Sequence, residues 1–370
     1  MQIYIAFIIA FTIEVIIGSL LPSNSYIKLK GHIESVSVRR LFTSILCVAD
    51  FVWLGYIMYA RDTIIGTDLK NYLWYYKNIG SNPWSKIFYL STIRRIEIGY
   101  AAFFKIIYQF NSSPDMYMLV SSTIIIIFLM IFVLKNSNNA LYSLCLFVYF
   151  GYYNESFNIV RQFIAVSLLM TTLVDIQNKD LKRFVIKTVL ISLIHKTAII
   201  YLLLYILVNK LGIHNKTKLF GFSLASFAAS LFLGSTIASI ARRIFSNRTY
   251  GVRDGAFGGI IIVEIIITLA FIAFYDQFNN SDERAAMWVF MSIMSVNISL
   301  LGLHMDLFYR MGFYFSMGYI ISIPSFLKSF SIKSTSIGAH IAVYTMFVSY
   351  YLYSLQTSNM AETIPYLFRK

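Results

Sequence analysis

The chain has 370 residues, of which 58% are hydrophobic and only 13% are charged, and its mean hydropathy is +0.68. Soluble domains carry about 25% charged residues, so this composition excludes an ordinary soluble enzyme and indicates an integral membrane protein. The net charge of +14 is dispersed among apolar runs. This dispersal argues against nucleic-acid binding and is typical of membrane proteins with basic loops beside anionic head groups.

Apolar runs long enough to cross the hydrocarbon core, about 20 residues each, recur along the whole chain. They are continuous and do not alternate with a period of two, which predicts helices. In chain order, the predicted spans are 1–21, 41–60, 116–134, 139–153, 157–176, 219–241, 258–275, 285–303, 310–326 and 336–355. With the run 184–208, the sequence predicts an all-α polytopic membrane protein of roughly 11–12 transmembrane helices, formed by residues 1–370 as a single integral membrane domain.

The longest polar stretch, residues 61–97, predicts a large loop on one face of the membrane. The loop 22–40 contains four basic residues, which favours the cytoplasm, and alternation of the spans then makes 61–97 external. Residues 98–110 form a short amphipathic segment. It is too short to cross the bilayer comfortably, so we expect it at the interface.

The apolar run 184–208 has His195 and Lys196 in its middle, and it leaves two alternatives open. It is either one tilted helix or two half-spans that meet at His195. A hairpin would make the loop 242–257 a second external loop. A single helix would make that loop cytoplasmic, which its arginines favour.

Arg161 is the strongest candidate for a functional residue. Its spacing from Asn154, Asn158, Gln162 and Ala165 is that of one helix face. A cation in a membrane span is costly and usually faces a wet cavity or a partner, which predicts a functional site. The alternative is a side chain that reaches from the end of the span to the interface.

Other polar residues inside or beside spans have both a functional and a structural interpretation. His195 could act as a base near neutral pH, or could simply be hydrogen-bonded between helices. Asp306, Arg310 and Tyr314 share a predicted helix face, and their structural alternative is an ion pair that caps a span. Three isolated acids within spans, which we expect to be hydrogen-bonded inside the helix bundle, are Glu14, Asp50 and Glu264.

Both polar loops contain arginines that could bind an anion. In the loop 61–97, carboxylates and arginines together could bind a sugar and a phosphate, or the loop could be solvated and hold only local ion pairs. The loop 242–257 is either an anion-binding loop or a cytoplasmic anchor.

No metal site and no cofactor is predicted. The five histidines are scattered along the chain, and no zincin, Asp-x-Asp, Walker, dinucleotide-binding or Gly-x-Ser-x-Gly motif is present. The two cysteines lie in apolar runs and give no disulfide framework. What remains is chemistry performed by arginine, carboxylate and histidine side chains.

Short motifs follow one another between the spans in a specific order. They are Gly66-Thr67-Asp68 with Tyr72, Glu97 with Gly99-Tyr100, Asn158 with Arg161-Gln162 and Ala165, His195 within Leu-Ile-His-Lys-Thr-Ala, Arg248 with Tyr250 and Arg253, and Arg310 with Tyr314. This order resembles that of the EpsG family of bacterial exopolysaccharide proteins, which is close to the Wzy-type O-antigen and capsule polymerases. The resemblance extends from about residue 50 to about residue 320.

The resemblance implies both a fold and an activity. Proteins of this kind are similar to metal-independent, lipid-linked glycosyltransferases of the GT-C class. They transfer a growing glycan from one undecaprenyl-pyrophosphate carrier to the repeat unit on another, at the outer face of the bacterial inner membrane. The implied partners are the lipid-linked glycan, membrane lipids, a flippase and a chain-length regulator. Whether the product is O-antigen and hence lipopolysaccharide, capsule or exopolysaccharide stays open.

This chemistry suggests roles for the residues that match the family pattern. Arginines must neutralise the charge of the leaving pyrophosphate, and an acceptor hydroxyl must lose a proton to a base. The candidate bases are His195, Asp68 and Glu97. The candidate residues for binding pyrophosphate and glycan are Arg161, Gln162, Asn158, Arg310, Arg248, Arg253, Tyr72, Tyr100, Tyr250 and Tyr314.

The sequence leaves two other functions open. A flippase or transporter of lipid-linked oligosaccharide would use the same arginines without a base, although such proteins tend to have two similar halves and none is evident here. Another membrane transferase, such as an O-acetyltransferase or a ligase, is the third possibility.

Overall fold

The structure is a computed structural model that describes residues 1–21, 26–28, 35–244, 259–330, 332–357 and 359–369. Two short strands, β1 (Tyr26–Lys28) and β2 (Ser35–Ser37), pair in antiparallel fashion. The α-helices are α1 (Gln2–Leu20), α2 (Val38–Ala60), α3 (Leu69–Gly80), α4 (Ile87–Arg94), α5 (Ile98–Phe110), α6 (Pro114–Asn136), α7 (Ala140–Tyr149), α8 (Tyr152–Asn158), α9 (Val160–Met170), α10 (Leu173–Gln177), α11 (Leu181–Ser192), α12 (Leu202–Asn209), α13 (Lys216–Phe232), α14 (Gly234–Ile244), α15 (Gly259–Ala273), α16 (Tyr275–Ser281), α17 (Ala285–Leu301), α18 (Asp306–Ser316), α19 (Tyr319–Lys328) and α20 (Lys333–Thr357). Short 3-10 helices cover Trp84–Lys86, Lys196–Tyr201 and Met360–Glu362.

The chain divides into two compact units. Unit 1 comprises Met1–Thr171, Leu193–Lys196 and Ala342–Lys370, and unit 2 comprises Thr172–Ser192 and Thr197–Ile341. In unit 1, α6 packs against α2 and α9, while α5 packs against α3, α4 and α6. In unit 2, α17 is central and packs against α12, α13, α15 and α18. The single integral domain expected from the sequence stays a prediction.

The protein is an all-α membrane protein apart from the short strands. Within the described ranges, three helices are long and apolar enough to cross a membrane, namely α2, α6 and the continuous stretch Val160–Gln177. The bent pairs α13–α14 and α15–α16 raise this number to five if each pair is one span. The sequence predicts roughly 11–12 spans, each about 30 Å long. Among the described residues, several apolar runs instead break into helices too short to cross alone.

One such break divides the helix face that was predicted around Arg161. Asn154 and Asn158 lie on α8, whereas Arg161 lies on α9. Between the two helices, Ile159 has φ −92° and ψ 51°, which is outside the helical region. The prediction of one continuous helix face is therefore wrong, because the chain turns at Ile159 between α8 and α9.

The run 184–208 forms two helices, as the second alternative from the sequence proposed. The Tyr205 hydroxyl donates a hydrogen bond to the Lys179 carbonyl at 2.7 Å, and Asn209 Nδ2 donates to the Ile176 carbonyl at 3.0 Å. The end of α12 thus returns to the beginning of α11, and the two helices form a hairpin. Its first arm of twelve residues is about 18 Å long. His195 lies in the turn, and the residues Leu193–Lys196 are called the hairpin tip below.

Residues 61–97, predicted as a loop, are largely helical, and α5 is the short helix expected at 98–110. The ends of the flanking spans lie side by side. The Arg369 backbone N–H donates to the Ala60 carbonyl at 2.9 Å, and Arg369 Nη1 lies 3.0 Å from Asp115 Oδ1. The segment 61–113 therefore leaves and re-enters the bundle at one place. That this face is external stays a prediction.

The acids inside the apolar helices are hydrogen-bonded, as the sequence predicts, but two of them are not isolated. Glu264 accepts hydrogen bonds from Ser295 at 2.9 Å and from Ser299 at 2.8 Å. Glu14 and Asp50 hydrogen-bond to each other. Their contact joins α1 to α2, which the sequence pattern did not indicate.

Candidate active site

Glu97 is the centre of a cluster of polar side chains in unit 1. Arg161 Nη1 lies 2.7 Å from Glu97 Oε2, and the side chains are only 13% and 9% exposed. The Lys196 backbone N–H donates to Glu97 Oε1 at 3.3 Å, and His195 Nδ1 lies 3.8 Å from the same oxygen. Arg161 and His195 therefore meet at the carboxylate of Glu97, and all three residues were candidates from the sequence.

A tight corner between α4 and α5 fixes the position of Glu97. Arg95 ends α4 in the left-handed conformation, with φ 54° and ψ 39°. The Ile96 N–H then donates to the Ser91 carbonyl at 3.0 Å, and the Ser91 hydroxyl donates to the Ile96 carbonyl at 2.7 Å. Glu97 follows directly as the first residue before α5, so its side chain starts from a rigid turn.

The hairpin tip is seated on the first turn of α5 through Gly99. The Gly99 N–H donates to the Leu193 carbonyl at 2.9 Å. A Cβ atom added at Gly99 would lie 2.7 Å from that oxygen, so only glycine allows this approach of the two backbones. The contact explains the glycine of the Glu97–Tyr100 motif and brings His195 next to Glu97.

Arg161 also contacts the tyrosines behind it. Its guanidinium carbon lies 5.9 Å from the ring centroid of Tyr100, within reach of a cation–π interaction. Burial raises the pKa of the Tyr100 hydroxyl well above its ordinary value, and that hydroxyl lies 2.9 Å from the hydroxyl of Tyr117. Tyr72 is buried as well, with its ring 6.1 Å from that of Tyr100. Both rings contact other protein rings, and their binding of glycan stays a prediction.

The Gly66–Asp68 motif lies against the break between α8 and α9. Asn158 Oδ1 accepts a hydrogen bond from the Thr67 hydroxyl at 2.7 Å and another from the Asp68 N–H at 2.8 Å. Gly66 has φ +88°, and an added Cβ would lie 2.8 Å from the Phe157 carbonyl oxygen. This contact places half-buried Asp68 beside the turn that leads to Arg161.

Arg61 belongs to the same region, although no motif in the sequence indicated it. It is fully buried, and it donates hydrogen bonds to the carbonyls of Met58 and, at 3.3 Å, of Phe157. Its guanidinium carbon lies 4.9 Å from the centroid of the Phe157 ring. Burial lowers the pKa of Arg61 to about 10, so it is still a cation at neutral pH. The only signal in the sequence is an arginine directly after a span.

The other predicted site residues have different surroundings. Gln162 is buried on α9. In unit 2, Arg310 is exposed on α18, and the buried Tyr314 hydroxyl lies 2.8 Å from Thr197 Oγ1. Asp306, Arg310 and Tyr314 do share one helix, as predicted. The residues that lie outside the described part of the chain are Arg248, Tyr250 and Arg253.

The cluster combines groups that can transfer a proton and bind an anion. An imidazole with one nitrogen near a carboxylate is the arrangement of a base and its orienting group, and such contacts are often long before substrate binds. A guanidinium next to them can bind phosphate. Across the described ranges, no group of three or more His, Cys, Asp and Glu side chains could hold a metal ion.

Comparison with known proteins extends the resemblance that the motifs suggested. A model of the EpsG family matches residues 44–368, which is nearly the whole chain and includes every residue of the cluster. Members of this family are Wzy-type polymerases, so the resemblance drawn from the motifs is confirmed. No curated protein and no solved structure matches the chain.

Proposed function

Because the chain belongs to the EpsG family, we propose that it polymerises oligosaccharide repeat units linked to undecaprenyl pyrophosphate. It transfers the growing glycan from one carrier to the repeat unit on another, at the outer face of the bacterial cytoplasmic membrane. The glycosidic bond to the donor phosphate breaks, a bond to the acceptor hydroxyl forms, and undecaprenyl pyrophosphate leaves. The reaction needs neither a nucleotide sugar nor a metal ion.

The observation that supports this proposal is the cluster of Glu97, Arg161 and His195. The transfer requires a base for the acceptor hydroxyl and a cation for the departing pyrophosphate, and the cluster supplies both, because His195 and Arg161 each lie next to Glu97. We assign His195 as the base. Its Nδ1 lies 3.8 Å from Glu97 Oε1, so Glu97 can orient the imidazole while Nε2 takes the proton from the hydroxyl.

Arg161 is assigned to the pyrophosphate. A guanidinium binds phosphate oxygens through parallel N–H donors, and this interaction strengthens as charge builds up on the leaving group. Glu97 holds Arg161 at the first turn of α9 before substrate arrives. The remaining residues proposed to contact substrate are Asp68, Asn158, Gln162, Tyr72, Tyr100, Arg248, Tyr250, Arg253, Arg310 and Tyr314.

The experiment is the glycan profile of a deletion strain that carries the wild-type gene or a variant. We expect a single repeat unit without the gene and a ladder of lengths with it. Arg161→Ala should remove the ladder when strains with equal amounts of membrane-inserted protein are compared. Arg161→Lys should also remove it, because lysine keeps the charge but lacks the planar guanidinium group, which donates two parallel hydrogen bonds to phosphate.

Glu264→Gln is the matched control, because this buried acid is hydrogen-bonded to two serines and lies in the other unit. It should keep most of the ladder. A wild-type ladder from Arg161→Ala would show that Arg161 does not bind the pyrophosphate. A deletion strain without any lipid-linked repeat unit at the outer face would mean that the protein moves this substrate instead.

A further inference from the structure

Helix α4 and the 3-10 helix before it, Trp84–Lys86, expose an apolar side, which we call the α4 face and define as Trp84, Phe88, Tyr89 and Ile93. Phe88, Tyr89 and Ile93 lie on the exposed half of α4 together with Thr92, and Trp84 precedes Phe88 by four residues. Phe88 is 75% and Tyr89 is 64% exposed, and the other two are exposed as well. The opposite side of α4 is buried against the protein and consists of Ile87, Leu90 and Ser91.

The neighbouring helix α3 has a different outer surface. Its exposed residues include Lys70, Asn71 and Lys77, with Trp74 as the one large exposed apolar side chain among them. A polar surface of this kind is what a helix in water presents. The α4 face would be out of place in water, because contiguous exposed apolar side chains generally mark an interaction surface.

The position of the segment 61–113 limits what can cover the α4 face. Both ends of the segment are held together by the contacts of Arg369 with Ala60 and Asp115, at the adjoining ends of α2 and α6. Both of these helices are candidate membrane spans. The segment therefore begins and ends at the level where the spans reach the membrane surface, and α4 lies within it.

The composition of the α4 face fits the interfacial zone of a bilayer. Tryptophan and tyrosine are enriched at the level of lipid head groups, where their amphipathic rings contact both apolar and polar surroundings. Exposed Lys86 lies beside Trp84, and exposed Arg95 follows Ile93 by two residues. Basic residues at this depth are attracted by anionic lipid phosphates.

We propose that the α4 face inserts into the head-group region of the bilayer, whereas α3 of the same segment stays in water. The segment is then a helical cap that rests on the membrane by one of its helices. Because Glu97 follows α4 after the corner at Arg95, this membrane contact lies directly next to the candidate site in the chain. The proposal does not depend on the reaction that the site performs.

Spin labels on the full-length protein in nanodiscs of phosphatidylethanolamine and phosphatidylglycerol test the insertion. Phe88→Cys carries a nitroxide on the α4 face, and Asn71→Cys carries the same label on α3 as the matched control. The native Cys47 and Cys145 are buried, and the wild-type protein gives the background of labelling. Collisions with oxygen report lipid, and collisions with a water-soluble nickel chelate report water.

We expect the ratio of oxygen to nickel accessibility to be several-fold higher at position 88 than at position 71. Equal ratios, or a higher nickel accessibility at 88, would place α4 in water and overturn the proposal. Protection of position 88 from both reagents would also overturn it, since another part of the protein would then cover the face. Ile93→Cys provides a second label on the same face if the first variant does not fold.

Discussion

Arg161 and Glu97 form an ion pair that joins helices from distant parts of the chain, with Nη1 and Oε2 2.7 Å apart. Both side chains are largely removed from solvent, so each desolvated charge depends on the other. For such a pair, loss of one partner costs more than the pair contributes, because the remaining charge is left without compensation.

The first prediction concerns this coupling. We expect Glu97→Gln and Arg161→Gln each to lower the free energy of unfolding by about 3–5 kcal/mol. The double variant should lose less than the two together, with a coupling of about 0.5–3 kcal/mol. Thermal unfolding of the purified protein in detergent would measure it. The control is Arg183→Gln, which removes an exposed pair with Asp180 and should change stability by about 0.5 kcal/mol at most. Strictly additive losses at Glu97 and Arg161 would contradict the coupling.

The second prediction concerns the contact between Gly99 and the hairpin tip. Gly99→Ala should displace the tip, because the new methyl group would meet the Leu193 carbonyl oxygen at 2.7 Å. We expect a lower melting temperature and a weaker glycan ladder, since His195 would move away from Glu97. Gly221→Ala is the control, because an added Cβ at this helical position has no neighbour within 4 Å. A full ladder from Gly99→Ala would show that the position of the tip does not matter for activity.

The third prediction concerns the role of Asn158 as a hydrogen-bond acceptor. Asn158→Ala removes the oxygen that accepts hydrogen bonds from Thr67 and Asp68, and should lower the free energy of unfolding by about 1–3 kcal/mol. Asn158→Asp keeps an acceptor at the same place and should keep most of the stability and the ladder. If the two variants behave alike in both assays, the contact of this side chain with the Gly66–Asp68 motif is not what positions the motif.

The fourth prediction concerns buried Arg61. A fall in its pKa from 12.5 to about 10 corresponds to about 3 kcal/mol against the folded cation, while its removal leaves the carbonyls of Met58 and Phe157 without this donor, which costs roughly as much. Arg61→Met should therefore change the stability at pH 7 by only about 1 kcal/mol. The glycan ladder should nevertheless weaken, because the Phe157 carbonyl, which lies next to the break that leads to Arg161, loses its donor.

The pH dependence of Arg61 has a defined sign. Between the folded pKa of about 10 and the higher value of the unfolded chain, the unfolded state binds more protons, so stability rises with pH. Wild type should thus gain stability relative to Arg61→Met when the pH is raised from about 9 to about 11. Unfolding by denaturant at both pH values would measure this gain, and a relative loss would mean that burial does not dominate at this position.

The sequence indicated the residues of the candidate site but not their contacts. Arg161 and His195 stood out because charged groups within apolar helices are costly and few, whereas Glu97 stood out as a loop carboxylate in a motif that resembles the family. Their mutual distances depend on how α5, α9 and the hairpin tip pack, and local patterns do not contain that information. The sequence therefore gave Arg161 as a candidate for substrate binding without indicating that Glu97 is its partner, as the structure shows.

The break at Ile159 shows a second limit of sequence patterns. No glycine or proline marks this position, and the apolar run continues through it. The turn is accompanied by contacts from residues that lie far away in the chain, including Arg61 on the Phe157 carbonyl and Thr67 on Asn158. Apolar length also overestimates uninterrupted helices, since a run such as 310–326 keeps its hydropathy across the interruption between α18 and α19.

The contacts of Arg369 with Ala60 and Asp115 have a consequence for how this architecture can diversify. The two ends of the segment 61–113 are adjacent, so the segment is connected to the spans at one place. Its exposed positions can change without a shift of α2 or α6, whereas α3 and α5 pack against α6. Exchange of residues 61–113 between relatives therefore has to keep the surfaces of these two helices that contact α6.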